Sequence, residues 1–467
     1  MSATPTSSRP LAVDLVEQAL AAATLPTVVL VTDRTEANLR WALNSLTTNG
    51  QMHALTLTVI ATSAVEGGTA VGTVSREVST TEQVADVVSA AEGIARSGPP
   101  AEDAAPLVEG GADDGWDAQP EQTTIEGFAE VAQGLGAAFQ QARADGHLLF
   151  GFAELVITTT YLGSTTGLRR RAVQPTGRLE LNAKSGDFAD SAWIGAATRD
   201  FTDVDVPALY AQVLQRLGWS RRTVDLPAGR YETLLPPSAV ADLMIYLYWT
   251  AGARDAEEGR TVFSAEPGAT RVGDSIATLP LTLRSDPNHP GLECVPFVVA
   301  PASSGGTTSV FDNGLDLSPT RWIAGGRLNE LLRHRAWATR TGQQPAAAID
   351  NLILEGEGSA TLEEMIAGTE RGLLLTCLWY IREVDPEQLL LTGLTRDGVY
   401  LVENGRVTAS VNNFRFNESP VDLLRRITEV GVAEQTLPRE WNDWFTRTVM
   451  PPVRVPHFNM STVSQAS

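Results

Sequence analysis

The sequence predicts an α+β protein, with an N-terminal α/β lobe followed by a β-rich C-terminal domain that contains one central buried helix. Three observations predict it. Short β-branched runs alternate with helical segments across residues 11–221, strand signals dominate from Arg222 onward, and the run from Leu234 to Ala253 is apolar on nearly every helical face. A chain of 467 residues is long enough for two or three substantial cores. The expected boundaries are a disordered Ser/Thr/Pro-rich tail at 1–10, an N-terminal domain at 11–221 and a C-terminal domain at 222–467.

Taken in order, Leu11–Ala23 reads as a helix and Thr27–Thr32 as a short strand. Ala37–Leu46 reads as helical, Met52–Ala61 with Gly72–Glu77 as a strand pair, and Thr81–Ala95 as a helix. The stretch 97–123 carries seven acidic residues and no basic one amid Gly, Pro and Ala. Such a composition buries too little apolar surface to offset its ordering entropy, so it is expected to be a mobile insertion with Trp116 as its one docking residue. Ile125–Ala144 is helical, and the strands His147–Tyr161, Leu168–Lys184 and Ser191–Asp200 follow. The middle strand alternates Leu179, Leu181 and Ala183 with charged and polar neighbours, as an antiparallel sheet with one wet face requires. Asp205–Leu217 closes the lobe as a helix.

In the second half, Tyr231–Leu235 is a strand stopped by Pro236 and Pro237, and Ser238 is expected to cap the buried helix that follows. At about 15 residues this helix is too short to span a bilayer. Strands are expected at Ala277–Leu283, Val295–Ala300, Ser309–Phe311, Asn351–Glu355, Leu373–Arg382 and Gln388–Thr395. Asp397-Gly398 and Asn404-Gly405 are two-residue hairpin signals around Val399–Glu403 and Val407–Val411. Leu328–Ala336, Leu362–Gly368 and Val421–Glu429 read as minor helices.

A net charge of −21 argues against nucleic-acid or anionic-membrane partners, since no basic patch can dominate the field. The longest basic run, Arg169-Arg170-Arg171, reads as an exposed strand end. Cys294 and Cys377 sit in apolar surroundings and read as buried thiols. The N-terminus has no apolar secretory core and no segment reaches spanning length, so the expected location is cytoplasmic. The five histidines (His53, His147, His289, His334 and His457) are scattered, with His289 in a turn and His334 on a solvated helix face. No metal-ligating pair, Walker loop, dinucleotide fingerprint or nucleophile elbow is present. The loop 303–308 is flexible or an anion nest, and Glu154, Glu355 and Glu357 are the carboxylates with candidate chemistry.

The C-terminal half resembles the TldD/PmbA family of metallopeptidase-related proteins. The resemblance is carried by Val310-Phe311-Asp312-Asn313-Gly314, the Leu-Trp-Tyr-Ile-Arg of 378–382, and Leu-Thr-Gly-Leu-Thr-Arg-Asp-Gly-Val of 391–399. Residues 411–420 (Val-Asn-Asn-Phe-Arg-Phe-Asn-Glu-Ser-Pro) and the closing 461–465 belong with them. The family implies a pair of subunits. A TldD-type subunit carries His-Glu-x-x-x-His at the start of a buried helix, with a Cys near the C-terminus as a further zinc ligand. A PmbA/TldE-type subunit lacks these, and the heterodimer encloses a cavity in which peptides are cleaved.

By ungapped comparison, Pro237 and Asp242 stand where the two histidines would be and Ser238 where the glutamate would be. Residues 451–467 contain no cysteine. The resemblance therefore implies a non-catalytic subunit with no cofactor of its own and zinc in the partner. That partner is a TldD-type chain carrying His-Glu-x-x-x-His, and the substrate is an unfolded or modified peptide. Phe311, Asp312, Asn313, Asn412, Asn413 and Asn417 either line the peptide cavity or serve turn chemistry. The alternatives are a stand-alone homodimeric peptide-processing or natural-product tailoring enzyme with unidentified catalytic residues, and a peptide-binding module.

Overall fold

The computed structural model describes residues 11–464 apart from 267, 305 and 397. The expected tail at 1–10, Asp397 of the first hairpin signal, Gly305 of the 303–308 loop and Gln465 of the closing string lie outside the described residues.

The N-terminal lobe is one six-stranded antiparallel sheet. Its strands are β1 (Thr27–Ala42), β2 (Ser45–Val65), β3 (Gly68–Glu77), β4 (His147–Ser164), β5 (Arg169–Ser185) and β6 (Ser191–Thr198), in the spatial order 3-2-1-4-5-6. Four helices pack on it: α1 (Ala12–Ala22), α2 (Val84–Ser97), α3 (Ala129–Asp145) and α4 (Val206–Trp219). The expected helix at Ala37–Leu46 is instead the second half of β1. Ala37, Leu39 and Trp41 are buried and alternate with Asn38 and Arg40, a period of two that a short helical reading overlooks. Leu43 and Asn44 then turn the chain with φ of 52° and 60°, and Ala42 pairs with Ser45. Positive φ at both central residues suits the twist of a tight hairpin, although Leu is an unusual occupant. Asn44 steadies the turn by accepting from Leu149 N at 2.7 Å and donating to His147 O at 2.8 Å.

The acidic stretch 97–123 is not a free insertion. Its backbone pairs with β5, where Asp113 N donates to Arg169 O and Arg169 N donates to Gly111 O, both at 2.9 Å. Trp116 is buried edge-on against Tyr161, with ring centroids 5.6 Å apart. The three arginines expected to be an exposed strand end hold this segment. Arg170 pairs with Asp113 at 2.6 Å, Arg171 donates to Gln119 O at 2.8 Å, and the Arg169 guanidinium lies 6.0 Å from the Trp116 ring centre. Composition misjudged the segment because its partners lie on a strand some 60 residues away in sequence.

The C-terminal domain holds a ten-stranded and a six-stranded sheet around helix α5 (Pro237–Trp249), which enters directly from the strand Gly229–Leu235. Ten of its thirteen residues are buried, and Leu243, Met244 and Ile245 join the largest core. Tyr248 closes its far end, donating to Ile349 O at 3.1 Å and accepting from Ile349 N at 2.7 Å beneath the Trp322 ring.

Several local expectations change. Leu328–Ala336 is not a helix: Arg327–Leu328 pairs with Thr320–Ala324, and a helix begins only at Arg335. Val295–Ala300 makes a single bridge, Phe297 to Asp316, and Ser309–Phe311 opens a helical turn over Val310–Asp312. The Asn404-Gly405 hairpin forms as expected. The strands either side of Asp397-Gly398 do not pair with each other; Leu390–Leu394 and Val399–Glu403 join different neighbours. Cys294 and Cys377 are buried and not joined as a disulfide. Among the described residues no helix is long and apolar enough to cross a membrane.

Candidate functional site

Pro236 and Pro237 end the strand Gly229–Leu235 and start α5, because proline fixes φ and needs no hydrogen-bond acceptor in the first helical turn. Pro236 is the residue flanking the helix and Ser238 lies one place inside it, so the expected serine cap is absent. The amino end of α5 has no side-chain cap. Pro236, Pro237 and Ser238 instead form part of the wall of a cleft of about 860 Å³.

That cleft lies between the two domains. Its N-terminal wall is β6, an edge strand of its sheet, together with α4; its C-terminal wall includes the short helix Leu362–Ala367 and the strand Glu434–Thr436, an edge of the six-stranded sheet. Gly195 on β6 admits no side chain, since a Cβ there would lie 2.6 Å from the Trp193 ring and 2.8 Å from Leu437. The outward carbonyls of Trp193 and Ala197 accept from Arg216 at 2.7 Å and Gln435 at 3.2 Å, which ties the edge to both walls. Burial depresses the basicity of Arg216. Burial also pushes the Glu434 carboxyl up, nearby Glu363 adds to this, and Arg216 opposes it.

Asp242 does not face the cleft. Five residues on from Pro237, it is rotated about 140° around the helix axis, and it is fully buried. Its carboxylate accepts from Glu440 N at 2.9 Å and Arg439 N at 3.3 Å, while its backbone carbonyl accepts from the Trp441 indole at 2.9 Å. Burial raises the Asp242 pKa well above the ordinary carboxylate value, against the lowering effect of the two backbone donors. The loop it holds contributes Arg439, Glu440 and Asn442 to a smaller cleft of about 320 Å³. There the Arg439 guanidinium sits 4.4 Å from the Trp379 ring centre and 5.1 Å from that of Trp193, and pairs with Glu180 at 3.3 Å.

Zinc does not fit the residues at the three motif positions. Proline offers no donor atom, the Ser238 hydroxyl is a weak ligand, and the Asp242 carboxylate is engaged by backbone donors on another face of the helix. Among the described residues no group of three His, Cys, Asp or Glu side chains converges as a metal site.

The other sequence candidates are dispersed. Phe311, Asp312 and Asn313 are buried within this chain. Asp312 pairs with Arg335 at 2.8 Å, and Asn313 bonds Ala300 N and O at 2.7 and 2.8 Å, as a strand neighbour would. Asn412 accepts from Leu226 N at 2.6 Å and Asn417 from Thr392 Oγ1 at 3.0 Å, within the ten-stranded sheet. Asn413 O accepts from Ser464 N at 2.8 Å beside them. None of the six lines either cleft.

Glu154 pairs with Arg178 at 3.2 Å and Glu355 with Arg284 at 2.6 Å, while Glu357 is exposed. His334, expected on a solvated helix face, is buried and caps the helix Arg335–Thr341 through Nδ1, 3.3 Å from Trp337 N. Sequence reading missed Arg216, Glu363, Glu434 and Arg439, because an arginine or glutamate on a half-polar element carries no signal until two domains close over it.

The model of the PmbA/TldA metallopeptidase C-terminal domain matches residues 228–462, half of the chain. The chain belongs to the TldD/PmbA family. Its fold is similar to that of TldE from Thermococcus kodakarensis, with a TM-score of 0.77 and 17% identity over 96% of this chain and 98% of that one. Two proteins described as candidate modulators of DNA gyrase are also similar. The one from Thermotoga maritima has a TM-score of 0.74 and 16% identity over 96% and 99% of the two chains; the one from Bacteroides thetaiotaomicron has 0.74 and 15% over 97% and 98%. At these identities the likeness to each is one of fold. No curated protein matches the chain. In this TldD/PmbA member the matched region begins just before α5 and takes in the whole C-terminal side of both clefts.

Proposed function

We propose that this chain is the non-catalytic subunit of a heterodimeric zinc peptidase, paired with a TldD-type subunit whose His-Glu-x-x-x-His holds the metal. The observation that carries this reading is the condition of Asp242. At the position of the expected second histidine stands a carboxylate spent on the backbone of Arg439 and Glu440, so the helix serves packing and loop placement. Zinc and the water it activates belong to the partner. This chain's part is to shape the cavity that receives an unfolded or modified peptide. Family membership and the similarity of fold to a TldE support the pairing.

Co-expression with a TldD-type protein tests it. A one-to-one complex that survives size exclusion at micromolar concentration is expected, with peptidase activity absent from this chain alone. Two non-associating proteins, or activity in the lone chain, would reject the heterodimer.

A further inference from the structure

We propose that the cleft at the amino end of α5 is a carboxylate-binding site, in which Arg216 takes the carboxylate of a bound peptide. The choice of a peptide as carrier rests on the function proposed above; the carboxylate itself rests on the cleft.

Arg216 stands in the last turn of α4, partly buried, with one hydrogen bond, from Nη1 to Trp193 O. It makes no ion pair with a described residue, whereas the comparably placed Arg178, Arg333, Arg426 and Arg454 each have a carboxylate within 3.2 Å. A guanidinium carries five N–H donors in a planar fork that matches a carboxylate two bonds at a time. Taking such a charge out of water is costly unless an anion meets it. The cleft supplies room, since about 860 Å³ lies within the range of small-ligand and peptide sites. Its walls are mixed, with Leu209, Trp219, Ile366 and Pro452 among the apolar residues and Gln212, Gln215 and Arg406 among the polar ones.

The opposite wall adds donors. Ser238 borders the cleft with no hydrogen bond from its hydroxyl to a described residue, and the uncapped amino end of α5 carries the positive end of a buried helix. Glu363 and Glu434 also border the cleft. With Asp203 they oppose any anion, a multivalent one most, so the ligand that fits is a single carboxylate whose two bonds to the guanidinium fork outweigh that repulsion. An α-carboxylate and an acidic side chain share that chemistry.

Calorimetric titration of the full chain with acetyl-trialanine, its C-terminal amide, and an amidated acetyl-peptide bearing one glutamate tests this. The free acid is expected to bind at least ten-fold more tightly than the trialanine amide. If the glutamate peptide matches the acid, either carboxylate source serves; if it matches the amide, the site reads the chain terminus. Arg216→Gln should erase the preference, and Arg216→Lys, which keeps charge but loses the fork, should retain a fraction of it. Equal binding of acid and amide, no saturable binding of the acid at millimolar concentration, or a preference that survives Arg216→Gln would overturn the proposal. The wild-type comparison stands even if a variant fails to fold. Because the lone chain is titrated, failure here leaves the co-elution result untouched, and failure to co-elute leaves these affinities intact.

Discussion

Replacing Asp242 by Ala is expected to destabilise the protein by about 3 kcal/mol while leaving its metal content unchanged, because the substitution strands two buried backbone donors. The carboxylate is fully buried and accepts from Glu440 N and Arg439 N. Asp242→Asn should cost less, since an amide oxygen can still meet Glu440 N. The two variants also differ with pH. Burial raises the Asp242 pKa in the folded state, so its stabilising contribution is complete below the unfolded value and declines as pH rises toward the folded one. The stability gap between wild type and Asp242→Asn should therefore narrow from pH 4 to pH 8. Urea unfolding at several pH values reads both effects, and a widening gap would contradict the assignment.

The second large effect concerns restoring the peptidase motif. A chain carrying Pro237→His, Ser238→Glu and Asp242→His together is expected to bind no stoichiometric zinc and to unfold more readily than Asp242→Ala. Position 242 faces the loop 439–441, whereas 237 and 238 border the larger cleft. An imidazole at 242 must displace packed backbone, and overpacking a filled core costs about 1–3 kcal/mol beyond the lost acceptor. Dialysis against zinc followed by elemental analysis, alongside an unfolding curve, checks it. One tightly held zinc in a folded variant would show that the helix keeps a latent metal geometry.

The α+β organisation, the buried helix and the antiparallel N-terminal sheet were legible because long runs such as Arg178–Lys184 and Leu243–Trp249 express one period without interruption. Pro237, Ser238 and Asp242 are legible as an unpromising ligand set once the family resemblance places them at the motif positions. What Asp242 does is not, because its partners at 439 and 440 lie about 200 residues away and present only backbone. The acidic stretch 97–123 was misjudged for a related reason: Trp116 and Asp113 find Tyr161 and Arg170 across the lobe. Ala37–Leu46 reads as helix because so short an alternating pattern fits either period, whereas its first half, to Ala42, completes β1. Arg216 is invisible in sequence, since its significance is that it makes no ion pair with a described residue, which shows only once the domains have closed.

This chain is expected to contribute no zinc ligand to a complex that needs zinc. This is tested most directly by counting metal in the purified one-to-one complex with a TldD-type partner and in each chain alone. About one zinc per heterodimer is expected, abolished by replacing the partner's motif histidines, with substoichiometric metal in this chain by itself. One tightly bound zinc in the lone chain, accompanied by peptide cleavage, would contradict it.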